Sequence, residues 1–199
     1  MVDENSTGKR KIDEISQNYN HLLLDIEGTT TPLAFVKELL FPYSSNKLRS
    51  FLTEHNKEPR VRTLLDEIMT QYELDKVDKS LTLPPGLSIA SKDDLESIGT
   101  YLLWIISLDR KVSPLKKLQG FIWQYGYESK EILGQVYEDV PLCFNRVLGR
   151  GGKVSIYSSG SKHAQQLIFR YSDKGDLRPK ITGYFDTKVG FKYMQCIGV

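Results

Sequence analysis

The chain has 199 residues, of which 40% are hydrophobic and 26% charged, and its formal net charge is +2. That length suits one domain of ordinary size or a domain carrying an insertion. The composition is that of a soluble globular protein, and so small a charge argues against nucleic acid or an anionic membrane as partner.

Cys143 and Cys196 form no C-x-x-C pair, and His21, His55 and His163 are scattered, so neither a disulfide framework nor a zinc site is indicated. No apolar run approaches a membrane span. The polar stretch 1–20 lacks the apolar core of a signal peptide, and residues 1–19 read as a disordered lead-in. Lys9-Arg10-Lys11 fits a nuclear signal but equally a solvated tail. The expected location is the cytoplasm, with the nucleus second.

In chain order, the first predicted element is a short buried strand over Leu22 to Ile26. From Ala34 the pattern turns helical: Phe35, Leu39 and Leu40 share a face, as do Leu48, Phe51 and Leu52. Val61, Leu64, Leu65, Ile68 and Tyr72 follow at helical spacing. Ser80 to Ala90 holds Pro84-Pro85-Gly86 and predicts a loop. A helical block over about 92–108 follows. Ser113-Pro114 then predicts a helix start with the serine as cap.

Another helix starts near Val140-Pro141 and ends at Gly149, Gly151 and Gly152. Lys153-Val154-Ser155-Ile156-Tyr157 predicts a strand, and Ser158-Ser159-Gly160-Ser161 leads into a helix through Ala164, Leu167 and Phe169. This is α/β grammar. The nearly all-helical stretch of about 35–135 therefore reads as an insertion after the first strand, where insertions lie over active sites and act as lids.

Three features carry chemistry. Asp25-Ile26-Glu27-Gly28-Thr29-Thr30-Thr31-Pro32 places two carboxylates two residues apart where the first strand opens into a turn, and strand alternation directs both toward one pocket. Gly28 allows close backbone approach to a ligand. The threonine hydroxyls and backbone N–H groups can receive an anion. Ser158-Ser159-Gly160-Ser161 opens a helix, a phosphate-binding position. Lys192 supplies a cation near the end of the chain. Each also has an ordinary reading: an acidic turn, a serine cap, a surface charge. Together they point to phosphoryl transfer with a cation between the acids.

In this order the three features resemble the haloacid dehalogenase-like phosphatases. The stretch from Leu24 to Lys37 is similar in particular to enolase-phosphatase, or acireductone synthase, of methionine salvage. So are Phe41-Pro42-Tyr43, Ser107 to Lys111, Leu118-Gln119-Gly120, Ile156 to Ser161 and Gly183 to Gly190. The resemblance runs from about residue 20 to residue 192. Glu27 is itself specific, because most relatives in the superfamily carry aspartate there.

The resemblance implies an α/β fold, a Rossmann-like parallel sheet core of the haloacid dehalogenase type with an inserted helical cap. The core would comprise residues 20–34 and 138–199, and the cap 35–137. Asp25 would be the nucleophile and a Mg²⁺ ligand, one ion per subunit. Glu27 would be the acid/base and offer its backbone carbonyl to the metal. Ser158 and Ser159 would hold phosphate oxygens, and Lys192 would neutralise charge. The implied substrate is a small phosphorylated diketone, 2,3-diketo-5-methylthiopentyl-1-phosphate, enolised and then dephosphorylated to acireductone by a monomer.

Departures accompany the likeness. Phe191 stands where the family usually has histidine, and the text after Lys192 differs from the family's continuation. A further strand and an acidic metal loop are expected there, so the last core strands count as missing. The expectation that follows is weak Mg²⁺ binding, low or absent turnover, and poor solubility from an exposed apolar edge at the first strand. Two other readings stay open: a phosphatase for another small phosphoester, and a truncated, impaired form acting as a binding or regulatory protein.

Overall fold

The computed structural model describes residues 20–190. The predicted tail over 1–19 with Lys9-Arg10-Lys11, and Phe191, Lys192 and Cys196, lie outside the described residues. The described chain forms two compact units: residues 20–35 with 133–190, and residues 36–132.

The first unit is built on three parallel strands, β1 (His21–Leu24), β2 (Lys153–Tyr157) and β3 (Gly183–Phe185), in the order β1-β2-β3. Leu24 pairs with Ile156, which pairs with Tyr184, so the strand ends are level. Helix α5 (Asp139–Gly149) packs on β2, and helix α6 (Lys162–Arg170) packs on β3. The central strand is buried on both faces, as Val154, Ser155, Ile156 and Tyr157 are all buried, the pattern expected of a covered parallel strand. Phe144 and Phe169 complete the core, with ring centroids 6.3 Å apart. β1 lies at the sheet edge among the described residues, and Leu23 is 52% exposed.

The second unit is helical. Phe35–Leu40, which crosses the boundary, is a π-helical stretch, and four helices follow: α1 (Phe41–His55), α2 (Pro59–Val77), α3 (Leu95–Ser107) and α4 (Ser113–Glu128). Helix α1 packs on α3 and α4, and α2 packs on α4. Leu48, Leu52, Leu65, Ile68, Ile98, Leu102, Ile105 and Leu118 form one core at these contacts. The indole of Trp123 donates to the Leu40 carbonyl at 2.8 Å and fastens the end of the π-helical stretch.

Three local expectations need correction. β1 ends at Leu24, because the Ile26 carbonyl accepts from the N–H groups of Thr29, Thr30 and Thr31 and curls the chain into a turn. Helix α4 begins at Ser113 itself: Val112 stands at the cap position and no side chain caps it. Helix α3 starts at Leu95, after Asp94, whose carboxylate accepts from the Ser97 N–H at 3.2 Å. The strand over Lys153–Tyr157 has the expected bounds.

Candidate active site

The candidate site is the carboxyl edge of the parallel sheet, where β1 and β2 end side by side. Open α/β sheets bind ligands at this edge. Two turns leave it: residues 25–31 from β1 and residues 158–161 from β2.

The first turn is tightly self-bonded. The Ile26 N–H donates to Asp25 Oδ1 at 2.7 Å, and the Thr30 hydroxyl donates to the Asp25 carbonyl at 3.0 Å. The Gly28 N–H donates to the Thr31 carbonyl at 2.8 Å. Gly28 has φ +71°, which a side chain tolerates poorly, while no atom stands near a Cβ placed there. Ile26, Thr30 and Thr31 are buried, and Glu27 is exposed. Among the described residues the Thr31 hydroxyl has no hydrogen-bond partner. Asp25 and Glu27 are therefore placed by a hydrogen-bonded turn and not by strand alternation, because the strand has already ended.

In the second turn Ser158 is buried, and its Oγ accepts from the Gly160 N–H at 3.1 Å. The Ser158 N–H donates across to the Phe185 carbonyl at 3.1 Å. Ser159 is exposed. Ser161 is the cap of α6, its hydroxyl accepting from the Ala164 N–H at 3.2 Å. So Ser161 takes the capping role, which leaves Ser158 and Ser159 at the helix entrance, where backbone N–H groups favour anions.

A third element, β3 and the residues after it, joins this edge. Asp186, at the end of β3, is buried, and its carboxylate accepts from the Lys188 N–H at 3.0 Å. The Tyr157 hydroxyl donates to the Gly190 carbonyl at 2.6 Å and anchors the stretch that follows β3. Three residues, Gly-Tyr-Phe, are too few to show alternation, so β3 carried no periodic signal.

The donors gathered here are oxygens. Among the described residues no group of three or more His, Cys, Asp or Glu side chains is arranged to hold a metal ion. A site of two acids is still compatible with Mg²⁺, which keeps several waters and uses few protein carboxylates. The second unit has an open depression of about 360 Å³ lined by Arg49, Thr53, Asp93 and Glu96. It is a separate feature: its cation is engaged, since Arg49 pairs with Glu96 and donates to Thr100 at 3.1 Å.

No protein-family model matches the chain. Curated relatives do. Enolase-phosphatase E1 of Synechococcus elongatus is 44% identical over 171 residues, covering 86% of this chain and 69% of that protein. Enolase-phosphatase E1 of Drosophila sechellia is 40% identical over 174 residues, covering 87% of this chain and 66% of that protein. Among solved structures, the UTR4 protein of Saccharomyces cerevisiae is 35% identical with a TM-score of 0.65, covering 86% of this chain and 68% of that one.

Proposed function

The chain belongs to the enolase-phosphatase E1 family, and from that premise we propose that it converts 2,3-diketo-5-methylthiopentyl-1-phosphate to acireductone by enolisation followed by hydrolysis of the phosphate ester. The observation that carries the reading is the meeting, at one sheet edge, of the Asp25–Thr31 turn and the Ser158–Ser161 turn, from neighbouring strands in register. An acid pair and an anion-receiving helix entrance are what phosphoryl transfer requires.

In the phosphatase step, Asp25 attacks phosphorus and the bond to the leaving oxygen breaks, leaving the phosphoryl group on the Asp25 carboxylate. Glu27 donates a proton to that leaving oxygen and then, as carboxylate, takes one from the water that attacks the aspartyl-phosphate. Inorganic phosphate leaves and Asp25 is regenerated. The exposure of Glu27 suits exchange with a substrate and with water. Ser158 and Ser159 hold the non-bridging oxygens, and backbone N–H groups at the entrance of α6 favour their charge. Lys192 balances charge between nucleophile and phosphate. Asp25 and the Glu27 backbone carbonyl would hold Mg²⁺, which would neutralise phosphate charge. The helical stretch expected over 35–137 would supply substrate selectivity.

Incubation of the protein with the diketo-phosphate and Mg²⁺, following enol absorbance and phosphate together, tests the reading. Enol absorbance preceding phosphate release is expected. Phosphate without an enol signal would make it a phosphatase for another small phosphoester. Binding without turnover would make it a binding form.

A further inference from the structure

Gln165 lies one turn into α6 and is 1% exposed. Its side-chain amide donates to the Gly160 carbonyl at 2.9 Å and to the Phe185 carbonyl at 2.8 Å. Two carbonyl oxygens need donors, which fixes the amide with Nε2 toward them. The Phe185 carbonyl also accepts from the Ser158 N–H. The turn carrying Ser158 and Ser159 is thus tied to the end of β3, immediately before Asp186.

Gln165 Oε1 is buried with no hydrogen-bond partner among the described residues. An unsatisfied buried acceptor is unfavourable. Methionine would fill similar space without one. The two donated bonds are what glutamine offers and methionine does not.

We propose that Gln165 is a positioning residue of the phosphate site, holding the Ser158–Gly160 turn against the end of β3 so that Ser158 and Ser159 meet the phosphate. This rests on the assignment of those serines to the phosphate. Because Phe185 precedes Asp186, the same amide also sets where residues 186–190 leave β3.

The test is a titration of the isotope-labelled protein with inorganic phosphate and Mg²⁺, read at backbone amides, together with hydrogen exchange at the Ser158 amide. In the wild type, phosphate is expected to shift the amides of residues 158–161. Gln165→Met should weaken phosphate binding by roughly tenfold or more, the loss expected for two buried hydrogen bonds, and speed exchange at Ser158. Ser172→Ala removes a buried hydroxyl that donates to the Gly175 carbonyl at 2.6 Å in the same unit, and it should leave phosphate binding unchanged.

Gln165→Glu supplies one donor when protonated and none when ionised, so its affinity relative to wild type should fall as pH rises. Wild-type affinity and unchanged Ser158 exchange in Gln165→Met would overturn the proposal while leaving the proposed function intact. If Gln165→Met does not fold, a Gln165→Glu affinity equal to wild type at every pH overturns it. Phosphate that shifts none of the amides 158–161 in the wild type would instead remove the serine assignment, and the proposal with it.

Discussion

Arg110→Ala should be among the most destabilising single changes in the helical unit. The Asp75 side chain is only 3% exposed, while that of Arg110 is 24% exposed. Asp75 accepts from both terminal nitrogens of Arg110, from the Tyr101 hydroxyl at 2.7 Å and from Gln71 at 2.8 Å. Burial pushes the Asp75 carboxyl up, but hydrogen bonds from Arg110, Tyr101 and Gln71 outweigh it and hold the group below the ordinary aspartate value. Removing Arg110 strands a buried carboxylate with two neutral donors, at a cost of about 3–5 kcal/mol. At about 4–8 °C per kcal/mol for a unit of this size, the lower bound is a fall of about 12 °C in Tm.

Thermal unfolding of the full chain by circular dichroism at neutral pH reads the loss directly. A folded pKa below the unfolded one contributes stability above the unfolded value, lost as pH falls through the folded value. The difference between wild type and variant should therefore shrink below the ordinary aspartate pKa of 3.8. Replacing the whole group, as Asp75→Leu, Tyr101→Phe and Arg110→Met together, should recover most of the loss, because no charge is left unpaired. A cost for Arg110→Ala below about 0.5 kcal/mol, the range of exposed ion pairs, would mean that Asp75 does not depend on Arg110 for its charge.

Glu58 joins the turn between α1 and α2 to α4. Its carboxyl is lowered to about 2, first by the Tyr125 hydroxyl, against the opposing effect of burial, and then by His55 and Arg60. Glu58→Gln should lower Tm at pH 7, and the gap from wild type should close as pH falls from 4.5 toward 2; a gap constant across that window would contradict the assignment. Gly28→Ala should cost about 1 kcal/mol from backbone strain alone, since no neighbour obstructs the new Cβ. Gly134→Ala should cost more, because its Cβ would lie 2.6 Å from the Ile168 carbonyl oxygen. Denaturant titration ranks the two, and the reverse order would contradict the steric argument.

What the chain revealed before its structure follows from which interactions are local. Lys153–Tyr157 was legible because an apolar, β-branched run sits between glycines and serines. The end of β1 was not, because Ile26 extends the apolar text while its carbonyl is taken by three N–H groups of the next turn. The π-helical stretch Phe35–Leu40 shares its apolar residues with an ordinary helix and cannot be told from one by periodicity. That Asp25, Glu27, Ser158 and Ser159 stand in the turns following the first two strands was legible from the apolar runs before them. Gln165 was not: a polar residue near a helix start reads as surface, and its partners Gly160 and Phe185 are brought to it only by the fold. Asp75 and Arg110 are likewise 35 residues apart.

The proposed function turns on Asp25 as the carrier of the phosphoryl group. Acid quenching of the protein during turnover of the diketo-phosphate with Mg²⁺, followed by peptide mass analysis, reads that role. A phosphoryl adduct on Asp25 is expected, lost in Asp25→Asn together with phosphate release. Turnover with the adduct on another residue, or undiminished release from Asp25→Asn, would contradict it.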